Sequence, residues 1–149
     1  MTRVPRHVRG TSLLEVLAAT AILASVLAIG VPNLVRLRAP YATSNGARQI
    51  VSALEAARQR AIARNTRYRV RFTNDSGNYV IERDNSGSWV VDGGTQVLPS
   101  GASVGSVSPS NPTFDSRGML TGTITIPVHA TGARTKTVTV NVLGHATIS

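Results

Sequence analysis

No cysteine occurs among the 149 residues, so disulfide staples, thiol nucleophiles and cysteine-ligated zinc are excluded at the outset. Lysine is nearly missing too: fifteen of the sixteen basic residues are arginine, set against seven acids for a formal charge of +9. That balance invites anionic partners such as membrane surface or nucleic acid, although a GC-rich genome produces the same arginine excess, and the bias is discounted accordingly. Catalytic vocabulary is thin. His7, His129 and His145 have no His, Asp or Glu partner at the spacing of a known metal motif. No phosphate-cradling glycine loop ends in lysine, and the serines lack a nucleophile-elbow context. Asp84-Asn85-Ser86-Gly87 lacks the distal glutamate a calcium loop needs and reads as a turn. Asn74-Asp75-Ser76 is a formal glycosylation acceptor too common to carry weight. No cofactor, no metal site and no enzymatic activity are expected.

What the sequence does have is an apolar run from Leu13 to Val31 whose one charge is Glu15. As a helix rising about 1.5 Å per residue it spans roughly 28 Å, enough to cross a bilayer. A cleaved secretory signal has a short apolar core followed by a small-residue cut site. Here the small residue at the polar boundary, Gly10, precedes a long core. A plain anchor explains the length but not the carboxylate, which costs about 2.5 to 3.5 kcal/mol well inside a bilayer and less near its interface. A cut after Gly10 removes Arg3, Arg6 and Arg9 and creates a charged amine on Thr11, four residues from Glu15. Between packed helices that amine of one subunit pairs with the Glu15 of its neighbour, and a wrong stagger leaves both charges stranded.

At Gly10, Ser12, Leu13 and Glu15 the sequence resembles the type IV pilin and pseudopilin family, whose signal is a basic leader ending in glycine with glutamate at the fifth mature place. Thr11 stands where the family usually has phenylalanine, and Pro32 falls where it commonly has a kink-forming proline. The resemblance implies cleavage between Gly10 and Thr11 by a prepilin peptidase, methylation of the Thr11 amine, and assembly with other minor and major subunits on an inner-membrane platform. It also implies a single-pass protein of the bacterial inner membrane with its globular part in the periplasm or on the exported side, later assembled in a pilus or pseudopilus.

Pro32 and Pro40 predict kinks or a short melted stretch between Gly30 and Tyr41. From Ser44 to Arg64, Ala47, Ile50, Val51, Leu54, Ala57 and Ala61 recur at helical spacing, opposite Arg48, Ser52, Glu55 and Gln59. This is an amphipathic helix with an alanine-rich stripe suited to close packing on a sheet. Beyond Asn65 the period changes to two: in RYRVRF, residues 67–72, Tyr68, Val70 and Phe72 face the helix while Arg67, Arg69 and Arg71 face solvent. Further strands are predicted at Tyr79–Glu82, Ser88–Val91, Thr95–Leu98, Thr123–Pro127 and Lys136–Val142, with turns at Asp75-Ser-Gly77, Asn85-Ser-Gly87, Asp92-Gly-Gly94 and Thr131-Gly132. Pro99 to Pro112 reads as a long loop. The fold class is α+β, a long N-terminal helix laid on antiparallel sheet.

The stretches SALEAARQRAIARNTRYRVRF, FDSRG (114–118), GTITI (122–126) and TVTVNVLGHATIS extend the resemblance to the H-type minor pseudopilins and related minor pilins grouped as GspH/FimT. The implied organisation is a leader at 1–10, a transmembrane and assembly helix at 11–38, an amphipathic helix at 39–66 and a β-rich domain at 67–149. Two functions follow: a structural subunit of a type II secretion pseudopilus or type IV pilus, or a DNA-binding minor pilin for natural transformation. Arg67, Arg69 and Arg71, about 6.6 to 6.8 Å apart along one strand face, are the candidate phosphate contacts. No aromatic residue interleaves on that face of the strand, so binding there is expected to be independent of sequence. Some members of this branch bind DNA through a basic C-terminal region, but here Gly144 is followed by His145 and Ala146.

Overall fold

The computed structural model describes residues 12–99 and 101–149, and their side chains except those of residues 29–37. The leader with its Gly10, and Thr11 after it, lie outside the described residues. The chain divides into two compact units, Met1–Arg36 and Leu37–Ser149.

One helix, α1, runs from Leu13 to Ala63. At its start the Ser12 carbonyl accepts from the amides of Glu15 and Val16 at 2.9 and 3.2 Å. Glu15 lies in the first turn, where the positive end of the helix dipole favours a carboxylate. The helix is continuous through Pro32 and Pro40, which corrects the melted stretch expected there. Each proline removes one amide donor, but its fixed φ is itself helical, so the turns on either side suffice to carry the helix through. The C-terminus closes on a Schellman arrangement. Asn65 takes a left-handed φ of 49°, Thr66 N donates to Ala61 O at 3.2 Å, and Asn65 N to Ile62 O at 3.3 Å.

In the first unit every described side chain from Ser12 to Ala28 is exposed, including Leu13, Leu14, Val16, Leu17, Ile22, Leu23, Val26 and Leu27. Among the described residues no helix is long and apolar enough to cross a membrane. The described side chains of the apolar run stop at Ala28, and Ile29 to Val31 complete it only in sequence.

The second unit holds two antiparallel sheets. The first joins β1 (Tyr68–Phe72), β2 (Asn78–Asn85), β3 (Ser88–Val91), β4 (Gln96–Val97) and β6 (Thr113–Phe114) in the order β3-β2-β1-β6, with β4 also on β2. The second joins β5 (Ala102–Val104), β7 (Ile124–Ala130), β8 (Lys136–Val140) and β9 (Ala146–Ile148) in the order β5-β7-β8-β9. Ala47, Ile50, Leu54, Ala57 and Ala61 of α1 are buried in one cluster with Tyr68, Val70, Phe72, Phe114, Ile126, Val128, Val138 and Val140 from both sheets. The alanine stripe makes that contact close. A Cβ added at Gly46 would lie 3.3 Å from Ala102 Cβ and 3.4 Å from Val128 Cγ1.

The strands differ from expectation where they are short. β5 interrupts the predicted loop, while β6 and β9 carry too few residues to show a period. β7 runs on to Ala130, and β8 ends at Val140 because Asn141 to Gly144 form a turn, in which Gly144 N donates to Asn141 O at 2.9 Å. The Asp84–Gly87 turn is a tight hairpin. Ser86 and Gly87 both have positive φ, the geometry that suits the twist of β2 and β3, and Asp84 Oδ1 accepts from Gly87 N at 2.9 Å.

Candidate functional site

The arginines of β1 are held by its neighbour. Register places Arg69 opposite Glu82 and Arg71 opposite Val80, while Asp84 N donates to Arg67 O at 2.9 Å. On the face away from α1, Arg69 Nε donates to Glu82 Oε2 at 2.6 Å and Arg71 Nε to Glu82 Oε1 at 2.8 Å. Arg67 Nε donates to Asp84 Oδ2 at 2.7 Å. Glu82 is 4% exposed, so its two charge-assisted bonds are what make burial of the carboxylate tolerable. Trp89 on β3 completes the face, its ring centroid 4.2 Å from Arg69 Cζ and 5.9 Å from Arg67 Cζ.

This arrangement refines one expectation and corrects another. The three arginines do face solvent, Arg67 and Arg71 exposed and Arg69 half-buried, but two carboxylates directed at them leave a single net positive charge. An aromatic residue does stack on the arginine face. It comes from β3, seventeen or more residues along the chain, and was invisible in the alternation of β1 alone.

A second network ties the end of α1 to the β3–β4 connection. Asp92 Oδ2 accepts from Tyr68 Oη at 2.8 Å and from Arg64 Nη1 at 3.1 Å, and Arg60 Nη1 donates to the Asp92 carbonyl at 3.1 Å. Arg64 Nη1 also donates to Tyr68 Oη at 2.8 Å. A third contact closes the opposite flank of the helix. Gly118 and Gly144, from the β6–β7 and β8–β9 connections, meet at Arg58, whose Nε donates to the Gly118 carbonyl at 3.2 Å. Asp115 shapes the first of these loops by accepting from the amides of Arg117 and Met119, both at 2.9 Å.

Glu82, Asp84, Asp92 and Asp115 share one electrostatic character. Burial pushes the Glu82 carboxyl up, but the hydrogen bonds and charges of Arg71 and Arg69 outweigh it and hold it below the ordinary value. The Arg67 bond lowers Asp84, the Tyr68 bond lowers Asp92, and the Met119 amide lowers Asp115. Burial, helped by the bond to Asp92, raises the Tyr68 phenol. A lowered carboxyl binds its proton less readily in the folded than in the unfolded chain. Its stabilisation is therefore complete above the unfolded value of about 4 and is lost as pH falls through the folded value. The raised phenol contributes stability present below about 10 and lost as pH rises beyond it. Unfolding midpoints measured across pH should therefore be flat near neutrality and fall below about pH 4. A midpoint that rises on acidification would contradict the pairings. Because most of these pairs are partly exposed, each contributes modestly.

Of the other sequence-derived site residues, Glu15 is exposed in the first turn of α1, and Pro32 lies within the helix with its side chain outside the description. Gly10 and Thr11 are outside the described residues. Among the described residues no group of three or more His, Asp or Glu side chains is placed to hold a metal ion. His145 N donates to Asn141 Oδ1 at 2.9 Å, as part of the β8–β9 turn. Sequence reasoning missed Arg58, Gly118, Gly144 and Asp92. The one available signal was the pair of glycines ending DSRG and NVLG, each at a turn.

A helix whose C-terminal half lies on two antiparallel sheets and whose N-terminal stretch is apolar and exposed defines a pilin-like subunit. The chain belongs to the GspH family: the model described as Type II transport protein GspH matches residues 46–144, most of the second unit. Solved structures agree in fold. The minor pseudopilin EpsH from the type 2 secretion system of Vibrio cholerae aligns with a TM-score of 0.59 at 15% identity, over 72% of this chain and 95% of that one. The type IV minor pilin FimU of Pseudomonas aeruginosa aligns with a TM-score of 0.59 at 13% identity, over 72% and 87%. No curated protein sequence matches the chain.

Proposed function

We propose that the protein is a membrane-anchored minor subunit of a type II secretion pseudopilus or type IV pilus, released from its leader between Gly10 and Thr11 and assembled through the first half of α1. The observation that carries this reading is the helix from Leu13 to Ala28, apolar and exposed on all sides, with a carboxylate in its first turn. A surface of that kind is stable only when covered by lipid or by other apolar helices. The two environments correspond to the subunit before and after assembly. EpsH and FimU, titled as a minor pseudopilin and a minor pilin, support the choice of machine.

The chemistry assigned to Glu15 is register. With the leader removed, the Thr11 amine of one subunit meets Glu15 of the next, and their mutual neutralisation favours one stagger of the packed helices. Mass spectrometry of the membrane-extracted protein is expected to find a chain beginning at Thr11, methylated at its amine. An intact leader, or an N-terminus beyond Ala19, would defeat the reading. Glu15→Ala removes a polar group from the span, so insertion and cleavage should persist while co-purification with neighbouring subunits falls. Undiminished co-purification would show that the charge pair is not needed. Prepilin peptidase, the assembly platform and the other pilin subunits are the partners this function requires.

DNA capture through Arg67, Arg69 and Arg71 has less support, because Glu82 and Asp84 already neutralise most of that face. Its electrostatic footprint has to lie elsewhere.

A further inference from the structure

In the second unit, charge is distributed unevenly. Among the described residues, Glu55, Glu82, Asp84, Asp92 and Asp115 each have an arginine partner, and those partners are Arg58, Arg60, Arg64, Arg67, Arg69, Arg71 and Arg117. All of these gather about the C-terminal half of the helix and the strands that pack there. Arg38, Arg48, Arg83, Arg134 and Lys136 have no acidic partner among the described residues. Arg38, Arg134 and Lys136 belong to the start of the second unit's helix and to the β7–β8 turn. Lys136, the sole lysine of the chain, lines a shallow cavity of about 410 Å³ with Pro40, Tyr41 and Ser44. Arg38 lies one helical turn before Tyr41 on α1, and Arg134 precedes Lys136 at the β7–β8 turn. Asp75, the one acid of the unit without a cationic partner among the described residues, is tied by its backbone to Val104 on β5. Tyr41 is 65% exposed beside this cluster.

We propose that Arg38, Tyr41, Arg134 and Lys136 form a docking surface for anionic phospholipid headgroups, which seats the second unit on the bilayer while the subunit waits for assembly. The occupant follows from complementarity and from the course of the chain. Unpaired cations with an exposed tyrosine among them are the residue types that partition to a lipid interface, the cations to phosphate and the phenol to the headgroup layer. In the sequence Arg38 follows the apolar run of residues 13–31 by only seven residues, so a lipid surface is the anion within reach. The inference rests on reading that run as an anchor. Each basic residue near an anionic surface shifts the docked population by roughly fivefold, and salt screens the effect over about 10 Å at ordinary ionic strength.

The absence of cysteine makes the test clean, since a single introduced thiol can be labelled alone. The full chain carrying Thr131→Cys at the β7–β8 turn, or Asn85→Cys at the β2–β3 turn as a control, is labelled with a fluorophore. It is then reconstituted in vesicles whose headgroups bear a quencher, made of phosphatidylcholine alone or with phosphatidylglycerol. Quenching at position 131 should exceed that at position 85 and increase with phosphatidylglycerol. It should fall at high salt and drop further with Arg38→Ala, Arg134→Ala and Lys136→Ala combined. Equal quenching in both lipids, or no change in the triple variant, overturns the proposal. So does a response at position 131 to duplex DNA added to phosphatidylcholine vesicles in the absence of any phosphatidylglycerol effect, which would assign the cluster to nucleic acid. A chain that floats with neither vesicle in a density gradient defeats the anchor itself, whereas one that floats with both but is quenched equally in both lipids defeats only the docking surface.

Discussion

Gly144→Val is expected to lower the stability of the second unit by about 3 kcal/mol or more, visible as a fall of roughly 10 °C in the unfolding midpoint. Two costs combine. Gly144 has a φ of 78°, a left-handed conformation that a β-branched side chain resists. Any Cβ there would also lie 2.7 Å from Arg58 Cδ, 2.8 Å from Arg58 Nε and 2.8 Å from the Gly118 carbonyl. The arginine is flexible and can withdraw, but the carbonyl belongs to a loop pinned by Asp115 and cannot. Adding Arg58→Ala to Gly144→Val should therefore restore only part of the loss, and differential scanning calorimetry of both variants separates the two costs. A midpoint unchanged in Gly144→Val would mean that the two glycine loops do not close on the helix as described. Gly118→Val, with a φ of 76° and Ile62 Cδ1 at 2.7 Å from the added Cβ, should behave alike.

The second large effect is at Tyr68, where packing and hydrogen bonding can be taken apart. Its side chain is fully buried, and its phenol donates to Asp92 while accepting from Arg64. Tyr68→Ala should cost about 3 to 5 kcal/mol, the range for deleting a buried aromatic ring. Tyr68→Phe keeps the ring and removes one bond to a charged acceptor, for about 1.5 to 3 kcal/mol at most. Asp92 retains Arg64 at 3.1 Å, so the true value should sit toward the lower end. Denaturant unfolding of the two variants measures the difference. If Tyr68→Phe proved as damaging as Tyr68→Ala, the phenol network rather than the core would be what holds the β3–β4 connection to the helix.

These predictions concern contacts between residues far apart in the chain, which is also where reading the sequence stopped. The helical stripe from Ala47 to Ala61 and the alternation of Tyr68, Val70 and Phe72 were legible because each is a local period, set by the geometry of one element and one buried face. The hairpin at Ser86-Gly87 was legible because only a few residue types tolerate positive φ at consecutive positions. Glu15 stood out because a charge in an apolar run is costly in itself.

The tertiary structure decided the rest. Whether Arg67, Arg69 and Arg71 present free charge depends on the register of β2, which brings Glu82 and Asp84 beside them, and on β3, which brings Trp89. No period within RYRVRF carries that information. The strands at Ala102–Val104, Thr113–Phe114 and Ala146–Ile148 exist through their ladder partners, being too short to declare themselves. Gly118 and Gly144 have positive φ, and two loops that converge on Arg58 leave no room for a Cβ at either. The sequence by itself determined which faces would be apolar and where the chain would turn. Which charges were cancelled and which were left free was decided by pairing across the sheets, because a side chain's partner is chosen by the fold and not by its neighbours in sequence.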